Sequence, residues 1–156
     1  MCQFTNLLHW MSLHSPLDIV EYHHHDGLDL FPDFNRQVPF GVGTSILYNY
    51  KDYRLKNNTD ITFQFITFCS DKYLHGELRA SASLPYSYHI KAEDEYFYKQ
   101  GEDFYRHNCV YRNIFDKRTG KNFTRELLKE CNARVAYDPE WIDLAKIRQN
   151  GITRQS

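Results

Sequence analysis

From Glu77 to Leu84 the side chains alternate in character. Leu78, Ala80, Ala82 and Leu84 are apolar, and Glu77, Arg79, Ser81 and Ser83 between them are polar. A half-buried strand needs that period of two, and a helix would scatter it around its circumference. The stretch is the cleanest of several. Asp18–Tyr22, Thr44–Tyr50, Ile61–Phe65, Tyr86–Ile90, Glu95–Lys99, Val110–Phe115, Asn122–Leu127 and Asn132–Tyr137 also read as strands. Polar turns separate them. Asp116-Lys117-Arg118-Thr119-Gly120 is a hairpin turn, with glycine where a positive φ is needed. Strands about 10 residues apart with turn signals between them predict an antiparallel sandwich or barrel.

Two helices frame these strands. Thr5 or Asn6 can cap the first, with Leu7, Leu8 and Met11 on one face. Asp138 as cap and Pro139 at the first turn open the second, Trp141, Leu144 and Ala145 share its face, and Gly151 can end it. With 156 residues, one domain over 1–156 is expected. Twelve Tyr, eleven Phe and two Trp supply enough apolar bulk for a core and argue against disorder. The net charge of −1 excludes a globally basic nucleic-acid binder. No apolar run is long enough to span a membrane as a helix, and the first residues lack the pattern of a secretory signal, so a cytoplasmic protein is expected.

Four cysteines, Cys2, Cys69, Cys109 and Cys131, form no CxxC pair. Buried thiols are the default in a reducing compartment. A Cys109–Cys131 disulfide across the hairpin is the alternative. His24 and Asp26 form an H-x-D pair of the kind used by iron-dependent oxygenases, for which His75, His89 or His107 would have to supply a third ligand. A solvated polar loop is the simpler reading, and no metal site is expected. His107-Asn108-Cys109 places a thiol beside an imidazole, but Cys109 begins a strand rather than a helix, which favours a structural cysteine. Arg54, Glu77 and Arg79 lie among aromatic strands. Facing solvent, they are ordinary surface charges. Facing inward in a small barrel, they would suit a flat conjugated ligand with acidic tails.

Four segments resemble the T-type phycobiliprotein chromophore lyases. These are Asn6-Leu7-Leu8-His9-Trp10-Met11, Tyr48 through Lys56, Asn108-Cys109 through Gly120-Lys121-Asn122-Phe123-Thr124 to Cys131, and Trp141-Ile142-Asp143-Leu144 followed by Gly151. The resemblance implies a mainly β fold, an antiparallel, calyx-like (lipocalin-like) β-barrel with short terminal helices. It implies a lyase that holds an open-chain tetrapyrrole, a phycoerythrobilin-type bilin, without a permanent cofactor. The bilin would pass to a cysteine of a phycobiliprotein β-subunit. On this reading Tyr48, Tyr50, Tyr53, Arg54, Phe65 and Arg79 bind the bilin, and Glu77 and Asp52 act as acids. A homodimer is allowed, with no nucleic-acid or membrane partner. The competing readings are a non-catalytic protein-interaction module and the His24/Asp26 oxygenase.

Overall fold

A computed structural model describes residues 2–24, 27–33 and 37–148. Strands dominate it. One helix, α1 (Cys2–Leu13), precedes β1 (Asp18–Glu21), β2 (Leu28–Asp29), β3 (Arg54–Lys56), β4 (Phe63–Cys69), β5 (Leu74–Ala80), β6 (Tyr86–Gln100), β7 (Asp103–Asp116) and β8 (Asn122–Val135). Two single 3-10 turns follow, Pro139–Trp141 and Leu144–Lys146.

The strands sort into three sheets. β6, β7 and β8 form an antiparallel meander, and short β2 adds in parallel to β8. β1 pairs with β3, and β4 with β5, each as an antiparallel couple. Bulges at Glu93/Tyr96, Val110/Tyr111 and Ile114/Phe115 bend the meander. Each inserts a residue that raises the local twist. The result is a curled, open half-barrel. Its outer strands, β2 and β6, do not pair with each other among the described residues, so the expected closed ring is not formed.

Alternation decides which face is the core. Along β7, Arg106, Asn108, Val110 and Ile114 are buried, and along β8 Cys131, Ala133 and Val135 are buried while Asn132 and Arg134 face solvent. Helix α1 and the 37–44 segment cover this inner face. Leu13, Val42 and Val110 pack together, Phe40 closes on Cys131 and Ala133, and Ile142 seals Phe97 and Val135 at the far end. Each such side chain contributes roughly 1.5–3 kcal/mol when fully buried.

Several local expectations change. The helix starts at Cys2, so Thr5 and Asn6 lie within it. Thr5 is buried, and the Asn6 amide oxygen accepts from the Thr44 backbone N–H at 2.8 Å. Residues 44–50 have strand composition but no ladder. Leu47 and Lys51 close a tight turn with Asn49 at φ 62°, leaving Tyr48 and Tyr50 more than 80% exposed. The stretches 86–90 and 95–99 are one strand, bulged at Asp94 (φ 53°), and 122–127 and 132–137 are likewise continuous through Val135. The second helix shrinks to the two 3-10 turns. Asp138 and Asp143 cap them as side-chain acceptors, at 3.0 Å each. Gly151 lies outside the described residues. The 116–120 turn is as read, with Gly120 at φ 70° and its N–H on the Asp116 carbonyl at 2.8 Å.

Candidate functional site

A cavity of about 350 Å³ lies between α1, β1, the 41–42 segment and the inner face of β7–β8. Its floor is Leu13, Leu17, Val42, Val110 and Leu128, and its polar groups are His9, Asp18, Tyr22, Arg112 and Lys129. Each arrives by simple periodicity. Thr5, His9 and Ser12 are spaced four and three residues apart, so they share one helix face, and that face is buried. Val110 and Arg112 alternate on β7, and Lys129 stands opposite Val110 on β8.

His9 is the centre of this group. Only 5% of it is exposed. Its Nδ1 lies 3.2 Å from the Tyr53 hydroxyl, and its ring stacks on Tyr22 with centroids 5.4 Å apart. Burial first, then electrostatic interaction with His24 and Lys129, pushes its pKa down to about 4. Burial pushes Tyr53 up to about 12, against a hydrogen bond with Ser12. Both partners are therefore neutral at pH 7, and Nε2 is left as the ring nitrogen for a ligand. Arg112 is held by Glu126 through Nε at 2.9 Å and Nη2 at 2.7 Å. Asp18 accepts from the Asn58 amide. The cavity thus presents an apolar floor, an aromatic wall, a neutral imidazole and charges of both signs. That combination suits a small peptide-like ligand with a terminal carboxylate.

The residues singled out from the sequence do not converge on this cavity. Glu77 and Arg79 pair with each other at 2.6 Å on the exposed row of β5. Arg54 bonds Glu21 at 3.3 Å, Asp52 is exposed beside the Tyr48/Tyr50 turn, and Phe65 is half-buried on β4. Tyr53 alone reaches the site, through His9. The charged residues therefore follow the solvent-facing reading. Cys109 is a free thiol, so it is not bridged to Cys131. It stands opposite Glu130, while Cys131 stands opposite Asn108 on the other face of the sheet. Asp26 of the H-x-D pair lies outside the described residues. His75 bonds Ser70 at 2.9 Å, His89 packs edge-on to Phe115 and His107 bonds Asn132, on three different strands. Among the described residues no three His, Cys, Asp or Glu side chains sit close enough to hold a metal.

A second buried group pins the far end of the sheet. The Arg106 guanidinium, 1% exposed, pairs with Asp29 at 3.3 Å, with Asp33 and with Glu95 at 3.2 Å. It also lies between the Phe40 and Phe97 rings, at 4.6 and 5.2 Å. The Tyr137 hydroxyl donates to Asp29 at 3.0 Å. This cluster ties β2, the Asp33 segment and the C-terminal turns to β7, and reads as structural.

Residues 1–79 match the family model of VanW-like proteins, and the chain belongs to that family. A curated relative is the vancomycin B-type resistance protein VanW of Enterococcus faecalis, 28% identical over 150 residues. That match takes in 96% of this chain but 54% of the relative, so the chain spans about half the relative's length. No solved structure matches. Family membership overturns the resemblance to phycobiliprotein lyases and the lyase function drawn from it. The bilin and its phycobiliprotein client came only through that resemblance. The interaction-module and oxygenase readings gain no support either. The cavity straddles the family match: His9, Leu17, Tyr22 and Val42 lie within it, while Val110, Arg112 and Lys129 come from strands beyond residue 79.

Proposed function

We propose that this chain is a ligand-binding module that contributes to vancomycin resistance, the role in the name of its Enterococcus faecalis relative. The cavity between α1 and the half-barrel is its site. The ligand is the end of a short peptide with small apolar side chains and a free carboxylate. One observation carries this reading: Lys129 and a neutral His9 stand together above the apolar floor of a cavity of about 350 Å³, whose other charged groups are Asp18 and the Glu126-paired Arg112. The carboxylate would face Lys129 and the His9 Nε2, and the side chains would rest on Leu13, Val42 and Val110. An intact glycopeptide antibiotic is far larger than this cavity, so the peptide is the better fit.

Calorimetric titration with N-acetyl dipeptides of D-alanine and L-alanine, and with their C-terminal amides, tests the reading. A free carboxylate should bind and its amide should not. Lys129→Ala should weaken binding about tenfold, the loss of roughly one charge-assisted hydrogen bond. Equal heats for acid and amide, or no heat for either, would remove the proposal. Deleting the gene and measuring vancomycin sensitivity tests the resistance half separately.

A further inference from the structure

The outward row of β7 carries another group of reactive side chains. Positions 107, 109 and 111 face away from the cavity, which takes Val110 and Arg112 from the opposite row. His107 Nδ1 lies 2.9 Å from the Asn132 side-chain oxygen, its cross-strand partner. An amide oxygen only accepts, so Nδ1 carries the proton and Nε2 keeps the lone pair. That Nε2 lies 3.8 Å from the Cys109 sulfur. The Tyr96 ring packs on the imidazole with centroids 4.7 Å apart. Nucleophile, base and base-orienting amide are thus lined up in the order that acyl-transfer chemistry requires.

We propose that Cys109, His107 and Asn132 form an acyl-transfer site for esters or thioesters whose acyl group carries a positive charge. Cys109 is the nucleophile and His107 the general base. Asn132 is a positioning residue. Charge selects the substrate. Glu93 on β6 and Glu130 on β8 flank Cys109 directly, and Asp94 follows in the bulge. Lys91 and Arg125 both reach Glu93, at 3.1 and 2.7 Å, but Glu130 and Asp94 make no ion pair among the described residues. Burial, with Glu130 and Asp94 next, holds the thiol above its usual range. The resting thiol therefore keeps its proton, which moves to His107 Nε2 during attack.

The step balances without a further reagent. The Cys109 sulfur bonds to the carbonyl carbon while its proton passes to His107 Nε2. The tetrahedral oxyanion collapses, the bond to the leaving oxygen or sulfur breaks, and that atom takes the proton from His107. Water then attacks the thioester, gives its proton to the same nitrogen, and the thiol is regenerated with release of the acid. Nothing is oxidised or reduced.

The test uses p-nitrophenyl glycinate, a cationic ester, and p-nitrophenyl hydrogen succinate, an anionic one. Nitrophenolate release is followed by absorbance and the acylated cysteine by peptide mass spectrometry. The exposed thiol of Cys69 is an internal control. Support is a one-equivalent burst with the acyl group on Cys109, about tenfold faster for the cationic ester. His107→Gln should slow it roughly 100-fold, the usual worth of a general base, without changing Cys69 labelling. Asn132→Ala should displace the pH profile of the burst, which a purely structural role would not do. Comparable labelling of Cys69 and Cys109, the same burst in Cys109→Ser, or an unchanged rate in His107→Gln would each overturn the proposal. The result is independent of the dipeptide titration, because the two sites lie on opposite faces of the sheet.

Discussion

Replacing Gly41 by alanine tests the packing under the cavity. Gly41 has φ 86°, a conformation that costs an L-residue about 1–2 kcal/mol. A Cβ there would sit 2.3 Å from the Cys131 sulfur and 3.2 Å from the Asn108 amide oxygen. Neither neighbour has room to retreat. Cys131 is packed against Phe40 and Ala133, and the Asn108 amide is fixed to the Phe40 carbonyl at 2.7 Å. Forcing one carbon into such a core typically costs about 1–3 kcal/mol. The stiffer unfolded chain returns about 0.4–1 kcal/mol. Gly41→Ala should therefore destabilise by roughly 2–4 kcal/mol in urea unfolding. The diagnostic step is the double variant Gly41→Ala with Cys131→Ala, which removes the sulfur. The 2.3 Å clash disappears, while the backbone cost and the closer fit to Asn108 remain, so the cycle should show a favourable interaction of about 1–3 kcal/mol. Strict additivity, or a single-variant loss below about 0.5 kcal/mol, would refute the close approach of the 41–42 segment to β8.

Other outcomes follow from the same contacts. His9 has a folded-state pKa of about 4 against an ordinary 6.5, so the unfolded chain binds more protons between those values. Its contribution, about 3 kcal/mol at 1.36 kcal/mol per pH unit, is present above pH 6.5 and lost as pH falls toward 4. His9→Gln should flatten that acid limb in thermal melts, and an unchanged limb would place the titration elsewhere. Arg106→Met removes the guanidinium from three carboxylates and should cost about 3 kcal/mol, the low end for a broken buried pair because Asp33 is partly exposed. In calorimetry that is a fall of roughly 6–12 °C, and a stabilised variant would contradict the account. Gly76→Ala is the mild counterpart of Gly41→Ala: its Cβ meets the flexible end of Met11 at 2.8–2.9 Å, so a loss under about 1 kcal/mol is expected by urea titration.

Turns and strand character were legible in the sequence, and strand continuity was not. The 116–120 turn is written in local chemistry, since the Asp116 carboxylate takes the N–H groups of Arg118 and Thr119 at 2.8 and 2.9 Å. Glu93 and Asp94 fall between two expected strands, 86–90 and 95–99, yet one strand runs through them over a bulge, and Glu93 reaches Arg125. Thr44–Tyr50 has the composition of a strand, but no neighbour offers it a ladder, so propensity yields to topology. At the cavity, the helix was read by its apolar residues. The buried stripe is the polar one, Thr5, His9 and Ser12, and its spacing of four and three was the available signal. Lys129 and Arg112 are ordinary surface residues until the register of β7 and β8 turns them inward. The His107/Cys109 pair is visible two residues apart in the sequence, but Asn132 joins it only through cross-strand register.

Among the described residues the β4–β5 hairpin shares no ladder with either other sheet, and its main neighbour is α1, where Gly76 fits beneath Met11. A unit held by side-chain packing alone can detach without breaking any hydrogen-bonded register elsewhere. Its amide protons should therefore exchange with deuterium well before those of β7, on a clock of their own. The cleft of about 510 Å³ that it shares with α1 would open and close on that clock. Residues added at the hairpin tip would lengthen this one detachable unit and leave the half-barrel unaltered.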